Sequence, residues 1–216
     1  MFFKVKFKIS LILFFLLSLI VNSHSIEPNE FVQNTVNRAS EALSNKISTE
    51  VKIKKLKIIA KETVDIRGIG FYTLGKHRKT LTDNQKDEYI SLFEEYFLKT
   101  FSDRLAEYTD PKVRVDSYEK LNENYTIVSS VLIATDKRPE VKIDWRIYTK
   151  NPENPLIRDL IIEGLSLART QKEEFNSIIQ SNDGDINALF SSLKKSIYIA
   201  SITLQNRIKF FFLCPC

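Results

Sequence analysis

Few side chains in this sequence are placed to do covalent chemistry. Beyond residue 25 the single histidine is His77, inside Lys76-His77-Arg78-Lys79, with no serine or cysteine beside it in a pattern of nucleophilic catalysis. A general base needs a partner within hydrogen-bond reach, so His77 reads as a surface residue of a basic loop. Asp159 and Glu163 straddle a strand end. Glycosidases use two carboxylates facing each other across a bond, and nearness in sequence does not supply that separation. Asn182-Asp183-Gly184-Asp185 has the look of a calcium loop but lacks its spacing and closing glutamate, so it reads as a turn and helix cap. Gly68-Ile69-Gly70 holds two glycines of a nucleotide fingerprint without the strand, turn and helix that give such a loop its function. Asn124-Tyr125-Thr126 is a glycosylation sequon, meaningful only in a host that glycosylates secreted proteins. Cys214 and Cys216 lie two apart, and a bridge between them would close too small a loop to constrain the fold. They read as free thiols or as partners for another chain. The chain is therefore read as a non-enzyme, with no metal and no organic cofactor.

The start of the chain has an addressing role. Lys4, Lys6 and Lys8 precede an apolar run over 9–21, broken only by Ser10 and Ser18, and then Asn22-Ser23-His24-Ser25. A basic lead, an apolar stretch and a small-residue exit describe a secretory signal over residues 1–25, with cleavage before Ile26 or after Ser23. An uncleaved anchor is the other reading, but the lysines interrupt a stretch that needs about 20 apolar residues to span a bilayer. Losing the leader takes three lysines and no acid, so the excess of Lys and Arg over Asp and Glu falls from five to two. A nucleic-acid binder would keep a strong basic excess on its folded part, so no nucleic acid is expected as partner.

The remaining residues must form the elements that position any site. With 43% hydrophobic and 27% charged residues the chain is globular, and 216 residues allow one ordinary domain with appendages. Pro28 opens a helix over 28–43, with Phe31, Thr35, Val36, Ala39 and Leu43 at helical steps. A second helix over 49–62 sets Val51, Ile53, Leu56, Ile59 and Ala60 against Lys52, Lys54, Lys55, Lys57 and Lys61, a run that reads as its solvated face. A short helix over 65–74 stops at Gly75. Thr82 and Gln85 have capping-box spacing and start a helix to about Glu107, aromatic on one side through Tyr89, Phe93, Tyr96, Phe97 and Phe101. Those rings face either the core or an apolar ligand, and the spacing fits both.

After Asp110-Pro111 the period changes to two. Val113, Val115 and Ser117 alternate with charged neighbours, and 125–135 is rich in β-branched residues. Val141, Ile143, Trp145 and Ile147 share one face of a third strand. Asn151-Pro152-Glu153-Asn154-Pro155 turns into a fourth, over 156–162. Helices over about 167–180 and 185–200 complete the chain's regular elements. The order predicts an α+β fold, a curved antiparallel four-stranded sheet packed against helices.

Leu74-Gly75-Lys76-His77-Arg78-Lys79-Thr80-Leu81-Thr82, Gln85, Phe93-Glu94-Glu95-Tyr96, Lys99-Thr100 and Arg104-Leu105 together resemble one signature of the MlaC family, also called toluene-tolerance proteins. Asp159-Leu160-Ile161-Ile162-Glu163-Gly164-Leu165-Ser166-Leu167, with Phe175 and Ile179, is similar to the family's second signature, and Phe31-Val32 also fits. The resemblance covers most of 28–195. It departs at His77 and Arg78, where the family often has aromatics, and at Arg158, where it often has tyrosine.

The resemblance implies a soluble periplasmic phospholipid carrier whose sheet and helices enclose an apolar lipid pocket. Its implied partners are phospholipid, the MCE-domain subunit of an inner-membrane ABC transporter and an outer-membrane lipoprotein–porin complex. The domain is then 26–195, with a C-terminal extension over 196–216. Phe93, Phe97 and Phe101 from the aromatic helix and Ile143, Trp145 and Ile147 from the sheet are the candidate pocket walls. Two other readings stand beside it: a ligand-free periplasmic adaptor or structural protein of similar fold, and a hydrolase or isomerase on the same scaffold, which would need a convergent polar set.

Overall fold

The computed structural model describes residues 25–212 apart from Asn45 and Lys137, with side chains placed as far as Ile199. The secretory signal expected over residues 1–25 falls outside the described residues short of Ser25, as do Cys214 and Cys216. Helices α1 (Pro28–Ala42), α2 (Thr49–Thr63), α3 (Ile66–Leu74) and α4 (Asp83–Leu105) precede the strands, with a 3-10 turn over Gly75–Lys79 between α3 and α4. Strands β1 (Val113–Lys120), β2 (Tyr125–Leu132), β3 (Val141–Tyr148), β4 (Leu156–Ile162) and β5 (Leu165–Ser166) come next, then α5 (Leu167–Gln180) and α6 (Ile186–Phe212).

The strands form one curved antiparallel meander in the order β1-β2-β3-β4-β5. It has five strands rather than four. The added one is two residues long, paired as Ile161 with Ser166 and Ile162 with Leu165. The connecting Glu163-Gly164 both take positive φ, 49° and 81°, the backbone of a tight two-residue hairpin. A second departure lies in β1. The register slips between Val115 and Ser117, so Asp116 is a bulge, Ser117 pairs with Ser129, and Tyr118 takes the place opposite Val128. The expected Val113, Val115, Ser117 alternation therefore fails at its third member, because a bulge reverses the side-chain parity of the residues beyond it.

Helix α4 begins as its sequence dictates. Thr82 Oγ1 accepts from the Gln85 amide at 3.3 Å, and Gln85 Oε1 accepts from the Thr82 amide at 3.0 Å, so two otherwise orphaned donors are satisfied. Its inner side buries Tyr89, Ile90, Phe93 and Leu98 among α3, α5 and α6. Gly70 lets α3 approach: a Cβ there would sit 2.8 Å from Phe93 Cδ1. The Gly68-Ile69-Gly70 run thus serves helix packing and not phosphate binding. The Tyr89 hydroxyl, fully buried, meets the Thr73 hydroxyl at 2.8 Å. Burial pushes the phenol's pKa well up, only partly opposed by that bond, so the pair stays neutral.

A separate packed cluster joins α1 to the sheet through Val32, Val36, Val128, Ile147 and Ile157. The two layers meet at the α2–α3 junction, where Val64 packs against both clusters and the Asp65 amide donates to the Ile157 carbonyl at 2.9 Å. Two more expectations are corrected. Lys52 is buried, so the lysines of α2 are not all on a solvated face. The last helix runs on to Phe212 instead of ending near 200.

Candidate functional site

The β2–β3 register pairs Thr126 with Ile147, Val128 with Trp145 and Ser130 with Ile143. Leu160 and Ile162 of β4 stand opposite Trp145 and Ile143. These side chains share one face of the sheet. At one end α1 covers it: Val128 and Ile147 are 0% exposed. Further along β3 and β4 the cover thins, and Trp145, Ile143, Leu160 and Ile162 are only half-buried. The result is a strip of apolar surface on the helix-facing side of the sheet, closed at the α1 end.

The indole N–H of the strip is tied down. Trp145 Nε1 donates to Ser130 Oγ at 2.8 Å, and Ser130 Oγ donates to the Ile143 carbonyl at 3.1 Å. The indole therefore presents carbon and no unsatisfied donor, as an apolar lining requires.

Phe93, Phe97 and Phe101 lie in the other cluster. They continue a ladder of rings down α4, with centroid separations of 5.9 Å for Tyr89–Phe93, 6.1 Å for Phe93–Phe97 and 5.4 Å for Phe97–Phe101. Burial falls along the ladder. Phe93 is 1% exposed and meets Phe175 edge-on at 6.2 Å, whereas Phe97 and Phe101 are half-buried. The six candidate residues are thus divided: Phe93 is enclosed core, Ile147 is sealed under α1, and Phe97, Phe101, Ile143 and Trp145 retain open surface. Val64 is the shared contact between the two groups.

Both carboxylates of the sequence-adjacent pair are engaged in hydrogen bonds. Asp159 accepts from Ser166 Oγ at 2.6 Å and from the Ala168 amide at 3.0 Å, and Arg146 Nη1 lies 3.5 Å away. It anchors the start of α5. Glu163 accepts from the Lys142 amide across the sheet. The His77 ring meets Asn176, Nε2 to Oδ1 at 3.3 Å. Asp183 and Gly184 take positive φ and Asp185 Oδ1 accepts from the Asn187 amide at 2.9 Å, which is the turn and cap expected there.

Arg158 has a structural post. Its Nε donates to Asp65 Oδ2 at 2.6 Å, its Nη1 donates to the Tyr125 hydroxyl at 2.8 Å, and its guanidinium lies 4.0 Å from the Tyr148 ring centroid. Asp65 in turn caps α3 by accepting from the Gly68 amide at 2.8 Å. Sequence reasoning missed Leu160 and Ile162 as strip residues, although both belong to the signature over 159–167 and alternate as a strand face. It also missed a basic pocket between α3 and α5, because Lys172 carries no local signal of its role.

Comparison with known proteins agrees with this geometry. No curated protein matches the chain significantly. Among solved structures it is similar to the phospholipid-binding protein from Ralstonia solanacearum, solved in complex with a phospholipid, with a TM-score of 0.68 and 18% identity. That likeness covers 82% of this chain and 99% of the other and shows a shared fold. The family model described as MlaC protein matches residues 30–195, most of the sequence and all of the elements that build the sheet and its helical cover. The chain belongs to the MlaC family.

Proposed function

We propose that the protein is a periplasmic phospholipid carrier, a binding protein and not an enzyme, shuttling glycerophospholipids between outer and inner membranes. In this reading it is the auxiliary component of an ABC transport system. It receives and delivers lipid by docking to an outer-membrane lipoprotein–porin complex and to the MCE-domain subunit of the transporter. The observation that carries the proposal is the half-covered apolar strip of Trp145, Ile143, Leu160 and Ile162 in a chain of this family. The phospholipid bound by the Ralstonia solanacearum protein of the same fold supports it.

The physics sets what such a carrier must do. Each methylene moved into water costs ~0.8 kcal/mol, so two chains of ~16 carbons cost on the order of 25 kcal/mol. Release into the aqueous phase is negligible at that cost. A strip as apolar as a bilayer makes transfer between membrane and protein nearly neutral, and docking then sets where exchange happens. Phe97 and Phe101, half-buried at the open end of the ring ladder, are proposed as lining together with Ile143 and Trp145. Phe93 and Ile147 back the lining from behind. The basic lead, apolar run and small-residue exit of residues 1–25, read as a secretory signal, support delivery to the periplasm.

Native mass spectrometry of gently purified protein tests the reading. The expected result is a complex carrying phospholipid, with lipid identity read from its fragments. A folded protein that is ligand-free when purified from cells, and stays so after incubation with phospholipid vesicles, would overturn it in favour of an adaptor.

A further inference from the structure

A second concavity shares no lining residue with the strip. An open pocket of about 640 Å³ is walled by Phe71 and Tyr72 of α3 and by Gly75. The charged side chains that line it are all cationic: Arg78 and Lys79 from the 3-10 turn, Lys86 from α4 and Lys172 from α5. That volume is within the range of about 300–1,000 Å³ usual for small-molecule sites.

Arg78 and Lys172 are held against aromatic rings, and the cations are mostly unneutralised. Arg78 lies 4.5 Å from the Phe71 ring centroid, with Arg67 4.9 Å from the same ring. Lys172 Nζ lies 5.0 Å from the Tyr72 centroid. Ring faces restrict where these charges sit, which reduces the entropy lost when they engage a ligand. Gly75, at φ 55°, admits Lys172, since a Cβ there would stand 2.9 Å from Lys172 Cε. Lys86 is paired with Asp83 at 2.9 Å, and Arg67 reaches Asp87 only at 4.0 Å. Among the described residues no carboxylate lies within ion-pair distance of Arg78, Lys79 or Lys172. Like charges gathered from three elements repel each other, and a bound anion removes that cost.

We propose that this pocket binds a phosphate ester, with the Arg78 guanidinium and the Lys79 and Lys172 ammonium groups on the phosphate oxygens. A guanidinium fork with two point charges suits a compact anion carrying several oxygens. The aromatic walls suit the carbon part of its alcohol. The convergence of the charges on one pocket disfavours an extended acidic peptide, whose carboxylates would spread along a surface. The site stands on its own residues and does not depend on the carrier reading.

Two sources share this chemistry, a soluble phosphoester and a phospholipid head group, and the experiment has an arm for each. Glycerol 3-phosphate is titrated into the full mature chain by calorimetry. Sedimentation is run with phosphatidylcholine vesicles with and without phosphatidylglycerol. The paired variant is Arg78→Glu with Lys172→Glu, and the milder one is Lys79→Gln with Lys172→Gln, each checked for an unchanged circular dichroism spectrum. Lys54→Glu with Lys55→Glu on α2 is the control of equal charge change. Loss of about tenfold or more in either arm for the pocket variants, with the control within about twofold, is the expected result. Which arm responds names the source. Equal loss in the control, absence of binding in both arms, or tighter binding of polyglutamate than of either phosphate probe would overturn the proposal. Lipid retained in native mass spectrometry by the pocket variants keeps this outcome separate from that of the carrier.

Discussion

The helical half and the sheet half of the molecule bury apolar surface in different ways. Along α4 the rings of Tyr89, Phe93 and Phe97 stack on one another, and Phe175 and Phe190 close the sides. On the sheet the face is built from Val128, Ile147 and Ile157 at the covered end and from Trp145, Ile143, Leu160 and Ile162 at the half-open end. The difference separates stability from ligand capacity. A ring enclosed on all sides has contacts in the free protein that no ligand improves, whereas a half-buried side chain gains contacts when something covers it.

Three changes probe that division. The largest loss of stability is expected from Phe93→Ala, which leaves a cavity inside the ring ladder and costs about 3–5 kcal/mol. Urea denaturation reads it, and a cost below about 1 kcal/mol would show that Phe93 is not enclosed. Ile143→Asp acts in the other region. A carboxylate on the half-open strip faces water in the free protein, so the fold survives at a cost of about 1–2 kcal/mol while co-purified lipid is lost. A variant that retains full lipid would remove the strip from the site. Truncation after Lys195 is expected to change least. Leu189, Phe190 and Leu193 are the last core residues of α6 among those described, while Tyr198 and Ile199 beyond them are exposed. Melting temperature and lipid load of the truncated chain should match those of the whole, and joint loss of both would make the 196–216 segment part of the domain.

The limits of β3 and β4 were legible because the alternation within β3 and the Asn151-Pro152 turn are local signals. So was the start of α4, whose capping box needs only Thr82 and Gln85. The bulge at Asp116 was not, since it depends on pairing with β2 and not on residues within β1. Strand β5 is two residues long, a single repeat of the strand period, and so leaves no alternation to read. For the site, the sequence indicated which residues share the β3 face. It could not say that Val32 and Val36 of α1 would cover only the Ile147 end, because that is decided by the α1–sheet packing. Nor could it bring Lys172 to Gly75, nearly a hundred positions earlier in the chain.

An open sheet also has two margins, and among the described residues both are blunted. On the β4 side, the two-residue β5 covers Ile161 and Ile162, and Val64 bridges Ile157, so little of that edge is left as a template for a further strand. The β1 margin is kinked at Asp116 and carries Arg114, Glu119 and Lys120, so an incoming strand would meet broken register and charge. Edges of this kind discourage strand addition between molecules. A protein with an apolar strip on a five-stranded sheet is thereby protected from polymerising through the sheet's own hydrogen-bonding rims.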